Sequence, residues 1–449
     1  MARVHMTFPA TWIPPHFRTF VREKFFIGLL KGMCSMGRTV MKGFIFALLV
    51  SFLTSMPVYG QSSSDGIELQ IRVVQDYARP VRTRFVPFKL SRRVTVTDRS
   101  VRLLSEWGEF SLQRPEGLVG AFPAVSGDAV AVVSAARGHA SGMGRMVQIS
   151  AYDWRGRKIL EILREYGYDD PIPAILFLGK DLGLVLADPA VAKLFFYSPA
   201  GTLAKSETLL PEVSYDLERK VLLAADTSGQ VIAVLFNRQG AMPVDVSAGK
   251  EEAATTFLHV YSRDGTLLWR RQVDRPDPKA LIVSPSGRFL AVSALGVMAE
   301  GRVFPQALLF GRNGQVRFKG DFGFQLAAFA QGENRVFLAD RSMVRLVDVT
   351  KGRLVWEKGL ETRRLRLVHI GAAGPYLFLL SAIAGYSEEA KAFVFNEPVL
   401  RIMNHRGDLL LSRAFADRSL FQPELAVDAE GLRLLLGFSD AAVEIGVVK

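Results

Sequence analysis

The stretch Ser284-Pro285-Ser286-Gly287-Arg288-Phe289-Leu290-Ala291-Val292-Ser293-Ala294 joins a polar turn to a nearly continuous apolar run. Pro and Gly supply the backbone angles of a tight turn. The run after it lacks the alternation of a strand with one wet face, so it reads as a strand covered on both faces. Six further turns introduce similar runs, near Gly127, Asp181, Gly229, Asn334, Gly374 and Gly431. Their mean spacing is about 51 residues.

A second unit interleaves with the first: a strand, a tight Gly turn and another strand, as in Tyr261-Ser262-Arg263-Asp264-Gly265-Thr266-Leu267-Leu268-Trp269. It recurs around Gly156, Gly201, Gly314, Gly352 and Gly407. Repeats of about 40 to 50 residues holding several short strands are what propeller blades require. The fold expected is therefore all-β: a single β-propeller of about seven four-stranded blades, with six or eight also compatible with the spacing. Lettering each blade A to D outward, the first motif is the A-B turn and the second the C-D turn. After Gly431, residues 432–438 and 442–448 supply strands B and C with no D to follow. The segment Val101-Arg102-Leu103-Leu104-Ser105-Glu106-Trp107-Gly108-Glu109-Phe110 is the expected complement, closing the ring with strands from both ends and removing its open edges. The organisation expected is a leader over 1–60, a lead-in segment over 61–100 and the propeller over 101–449.

The separation of an A-B turn from the C-D turn of its own unit ranges from 18 to 36 residues, whereas that from a C-D turn to the next A-B turn stays within 20 to 28. The variation falls in the B-C loops, on the same face as the D-A connections. Variable loops on a rigid scaffold are where binding resides. The candidate anchors on that face are Arg137, His139, Arg238, Arg302, Tyr386 and Glu388, with Asp170 and Asp277 nearer the channel. Tyr and Arg are the side chains in which interfaces concentrate affinity.

The C-D units resemble the quinoprotein-like, WD40-like repeat family. The likeness is strongest over residues 344–356, where an aliphatic residue, Asp348, Gly352 and Trp356 follow in order; Trp269 matches the terminal Trp, and the copies at Gly201, Gly314 and Gly407 lack it. The resemblance implies a propeller and is nearly silent on activity. Quinoprotein dehydrogenases of this style use a quinone, a calcium ion held by carboxylates and often a cysteine pair.

The only cysteine is Cys34. It precedes an apolar stretch, Gly43-Phe44-Ile45-Phe46-Ala47-Leu48-Leu49-Val50-Ser51-Phe52-Leu53-Thr54, flanked by Arg38 and Lys42 and followed by Pro57-Val58-Tyr59-Gly60. This is the anatomy of a cleaved export signal, too short to span a bilayer comfortably, with Gln61 the expected new N-terminus and an uncleaved anchor the alternative. Met36 or Met41 would open a compact basic n-region, and translation is expected to start at one of them. The mature chain then has no cysteine and no membrane span, and a bacterial periplasmic or secreted location is expected. Loss of Cys34 excludes disulfides, thiolate metal sites and a cysteine nucleophile.

Of the 449 residues 49% are hydrophobic and 22% charged, enough for a large core and too few charges for disorder. The net charge of +12 invites a nucleic-acid reading, but residues 1–60 carry seven basic side chains against one acid, leaving +6 for the rest. That mild excess, without basic runs, argues against nucleic acid. The loop of residues 137–144 is glycine-rich but matches neither phosphate-binding pattern. His259 and His369 fall within strand patterns and read as packed histidines. Asp169-Asp170 and Asp274 to Asp277 stand beside prolines, where Asp serves turns, although a hard cation such as calcium could also use them. No cofactor is expected. The function expected is a non-catalytic scaffold that binds a protein, peptide or glycan through the loop-rich face. The alternative is a metal-assisted hydrolase or lactonase working at the channel mouth, because propeller active sites draw one residue from each of several blades.

Overall fold

The computed structural model describes residues 68–77, 81–86, 89–137, 144–167, 170–209, 219–238, 256–273, 280–297, 303–360, 364–388 and 392–448. The leader expected over 1–60 lies outside them. Among the described residues, eight antiparallel sheets of four principal strands follow one another, one more than the seven units expected. Blade one spans residues 82–113, blade two 118–167, blade three 174–208, blade four 219–273, blade five 280–320, blade six 326–359 and blade seven 366–414. Blade eight combines Leu425–Val427, Arg433–Gly437 and Ala441–Val448 with an N-terminal strand, Glu68–Asp76.

The apolar runs follow from packing. Along strand B of blade five, Phe289–Val297, residues Leu290 and Val292 enter the cluster shared with blade four, while Phe289 and Ala291 enter the one shared with blade six. Alternate side chains of a strand point to opposite faces, so a strand between two neighbours must be apolar at every position. Among the described residues eight such clusters occur, one per pair of neighbouring sheets; the last packs Phe85 and Leu90 of blade one against Ala426, Leu435 and Val74 of blade eight.

Two expectations are corrected. The segment 101–110 is not the missing outer strand. It belongs to a complete first blade made of Arg82–Val86, Lys89–Val96, Ser100–Ser105 and Gly108–Gln113. The outer strand of blade eight is Glu68–Asp76, which pairs with Ala441–Val448 from Glu68 opposite Val448 to Asp76 opposite Ala441. The expected lead-in over 61–100 thus contains three strands, and the sheets begin at Glu68 rather than at residue 101. Blade one escaped detection because its strand B reads Lys89-Leu90-Ser91-Arg92-Arg93-Val94-Thr95-Val96, without an apolar run. The polarity has a use. Arg92 forks onto Glu106, donates to the Gly127 carbonyl at 2.7 Å and lies 4.9 Å from the Trp107 ring centre.

The seven A-B turns and six C-D turns read from the sequence all connect strands as expected. On this face neighbouring blades interlock. Trp269 Nε1 donates to the Arg312 carbonyl at 2.6 Å, Arg271 Nε to that of Gly314 at 3.1 Å, Lys205 Nζ to that of Gly265 at 2.8 Å and Trp356 Nε1 to that of His405 at 3.0 Å. A-B turns are tied likewise: Ser286 N donates to Glu333 at 2.7 Å and Thr227 Oγ1 to the Pro285 carbonyl at 2.8 Å. An insertion in either turn would displace these partners. That is the physical reason its length stays fixed while the B-C loops vary.

Candidate binding face

Antiparallel topology places the B-C hairpins and D-A connections on the face opposite the interlocked turns. The hairpins are short in blades three and six, at Asp188 to Lys193 and Ala339 to Met343. They are extended in blade seven, where strand B, Tyr376–Ser387, and strand C, Ala392–Asn404, outrun strand A, Arg366–Ala373. Strand A stops pairing at Arg366 opposite Ala382, whereas B and C continue through five more pairs to Ser387 opposite Ala392.

At the base of this projection a β-bulge sets Glu397 and Pro398 against the single residue Ala382, with Glu397 at φ +51°. Such a bulge bends its strand and increases the local twist. The short strand Ser419–Leu420 pairs with Phe395 and Asn396, Leu420 is fully buried, and Arg418 is 3.0 Å from Asp440 of blade eight. The projection is therefore braced from the side. On one of its faces Tyr386 and Phe393 stand directly opposite each other, rings edge to face at 5.6 Å, yet are 53% and 56% exposed. A braced aromatic pair left in water is the composition of a binding anchor.

Of the residues singled out in the sequence, Tyr386 and Glu388 are brought together here, Glu388 exposed at the start of the turn. Asp170 serves its own connection: its carboxylate accepts the Gly167 N–H at 2.7 Å and its carbonyl accepts from Arg145. Arg137 and Arg238 end the B strands of blades two and four, with side chains outside the described set. His139, Asp277 and Arg302 lie outside the described residues. Phe393 was missed, although its alternation with Phe395 across from Tyr386 was the available signal.

The inner strands enclose a cavity of about 670 Å³ lined by apolar residues such as Phe85, Ile282, Phe329 and Ile370. Five polar side chains line it: Arg84, Thr227, His369, Gln422 and Glu424. Glu424 accepts the Phe85 N–H at 3.4 Å and lies 3.7 Å from Arg84. Burial pushes its carboxyl up, against the pull of Arg84. His369 touches the channel space but is surrounded by protein, and burial lowers its pKa to about 4, so it is neutral near pH 7. Among the described residues no three His, Cys, Asp or Glu side chains converge as a metal site. Nor does any described helix have the length and apolarity to cross a membrane.

His259 is a packed histidine. It is 4% exposed, stacked on Phe257 at 6.1 Å, and its Nε2 lacks a hydrogen-bond partner. Burial lowers its pKa to about 4; the nearby Arg270 charge adds to this and Glu207 opposes it. Between pH 6.5 and 4 the unfolded chain takes up a proton that the native state refuses, so stability falls as pH falls through that window. The linkage amounts to about 2 kcal/mol by pH 5. Thermal melts at pH 7.5 and pH 5 should show a smaller acid-induced drop for His259→Gln than for the native chain; equal drops would place the proton uptake elsewhere.

No family model matches this chain, and no curated protein matches it. Among solved structures, the C-terminal WD40 domain of Sif2 aligns at a TM-score of 0.50 with 10% identity, covering 84% of this chain and 99% of that domain. A eukaryotic initiation factor aligns at 0.42 with 10% identity, covering 76% of this chain and 89% of its own. The likeness to the Sif2 domain is one of fold.

Proposed function

We propose that this chain is an exported scaffold that binds a protein partner through its loop-rich face. The observation carrying this reading is the blade-seven projection, where Tyr386 and Phe393 are paired edge to face and exposed. WD40 propellers are commonly protein-interaction scaffolds, which supports the reading by analogy of fold. The repeat over residues 344–356 supports grouping it with quinoprotein-like propellers. The shared blade built from Glu68–Asp76 and the C-terminal strands serves to close the ring.

The test is capture of the native partner from the export compartment. Tyr386→Ala combined with Phe393→Ala should weaken capture by about tenfold or more, as loss of paired anchors does, with the melting curve unchanged. Arg312→Ala with Arg353→Ala, on the interlocked face, should leave capture intact. The reverse pattern would move the binding face. Export rests on the basic flank, apolar core and Val58-Tyr59-Gly60 site. N-terminal sequencing of the mature protein should begin at Gln61, and a chain retaining residues 1–40 would contradict it.

A further inference from the structure

The blade-seven projection has an open edge. Beyond Ala382 no described strand pairs with Ile383–Tyr386 on the side away from strand C. Proteins guard such edges with charges, prolines or bulges, because unpaired backbone groups recruit another chain. The edge here reads Ile383-Ala384-Gly385-Tyr386, with neither charge nor proline. The bulge that bends the hairpin lies on strand C, not on this edge.

The edge continues the line of the inner strand, and where that strand begins the surface is basic. Arg364 and Arg366 are exposed, and among the described residues neither makes an ion pair. Arg341, in the B-C turn of blade six, accepts the Leu367 N–H through its carbonyl at 3.3 Å, which brings it to the same place. Burial lowers the Arg341 pKa, and the nearby Arg366 charge adds to this. The exposed guanidinium groups of Arg364 and Arg366 suit a ligand that carries carboxylates.

We propose that Ile383–Tyr386 receives an extended segment of the partner as an added strand, apolar at alternate positions and carrying carboxylates that meet Arg364 and Arg366. The added strand would extend the cross-strand row from Phe393 through Tyr386 to one side chain of the partner, covering the aromatic pair. This rests on the loop-rich face being the binding face. It deepens that reading by naming what binds and how.

The experiment selects random linear dodecapeptides displayed on phage against the full mature chain. The best sequence is then synthesised, and its affinity measured by fluorescence anisotropy. Enriched peptides should be acidic with alternating apolar residues. Tyr386→Ala, and separately Arg364→Glu with Arg366→Glu, should each weaken binding by about tenfold. N-methylation of the peptide backbone should cost about tenfold at every second amide and little at those between, the signature of one hydrogen-bonded edge. Failure to enrich any peptide overturns the proposal. Peptides weakened by the side-chain variants yet indifferent to N-methylation overturn strand addition and leave the binding face standing. Peptides indifferent to all the variants overturn both. A concentration-dependent dimer in sedimentation, abolished by Tyr386→Ala, would make the occupant a second copy of this chain and overturn the partner assigned.

Discussion

A chain beginning at Tyr77, and so lacking the Glu68–Asp76 strand, should melt roughly 5–10 °C below the chain beginning at Gln61 and aggregate on concentration. The deletion strips the antiparallel ladder from Ala441–Val448 and uncovers the edge of blade eight. It also removes Leu69 and Val74, which pack on the clusters joining blade eight to blades seven and one. A whole strand's hydrogen bonds and packing are worth on the order of 5 kcal/mol after the entropy of ordering it. A synthetic peptide of residues 66–78 added in trans should recover part of the loss. Calorimetry decides the matter: an unchanged midpoint would make the strand an appendage.

The second large effect belongs to the interlocked turns. At Gly374, φ is +52° and an added Cβ would lie 2.2 Å from the Glu430 carbonyl oxygen, a backbone atom of the next blade. Gly374→Ala should therefore cost about 3 kcal/mol, the left-handed penalty plus a displaced turn. Gly332 shares the positive φ, at +80°, but nothing lies within 4 Å of its added Cβ. Gly332→Ala should cost only about 1 kcal/mol. Denaturant melts of the two variants separate backbone strain from blade-to-blade contact, and equal losses would refute the interlock.

These turns were legible because the chemistry leaves little choice of residue. Gly156, Gly265, Gly287 and Gly407 all take φ between +72° and +85°, a region costly for residues with a Cβ. Strand B of blades two to eight was legible through burial on both faces. Blade one was not, because Arg92 and Arg93 occupy the strand that elsewhere is apolar, and its B-C connection is only Thr97 to Ser100. The partner that makes Arg92 tolerable, Glu106, lies beyond the next strand, and sequence does not display that pairing.

The candidate face was legible in outline for the same reason. Loop length marked the blade-seven hairpin, and Tyr386 stood out as an aromatic in a polar stretch. Phe393 did not, since Phe393 and Phe395 read as an ordinary continuation of strand C. The open edge was invisible, because it depends on where strand A stops pairing, at Arg366 opposite Ala382. The pairing of Arg84 in blade one with Glu424 at the start of the neighbouring blade eight joins residues far apart in the chain and has no local signature.

The most direct test of the binding face is site-specific photocrosslinking in the producing cell. A photoreactive phenylalanine analogue is placed at position 386 in one strain and at position 316, an exposed residue beside the interlocked C-D turn of blade five, in another. The account predicts a discrete heavier adduct on illumination from position 386 and none from position 316. An adduct from 316 with none from 386 would contradict it.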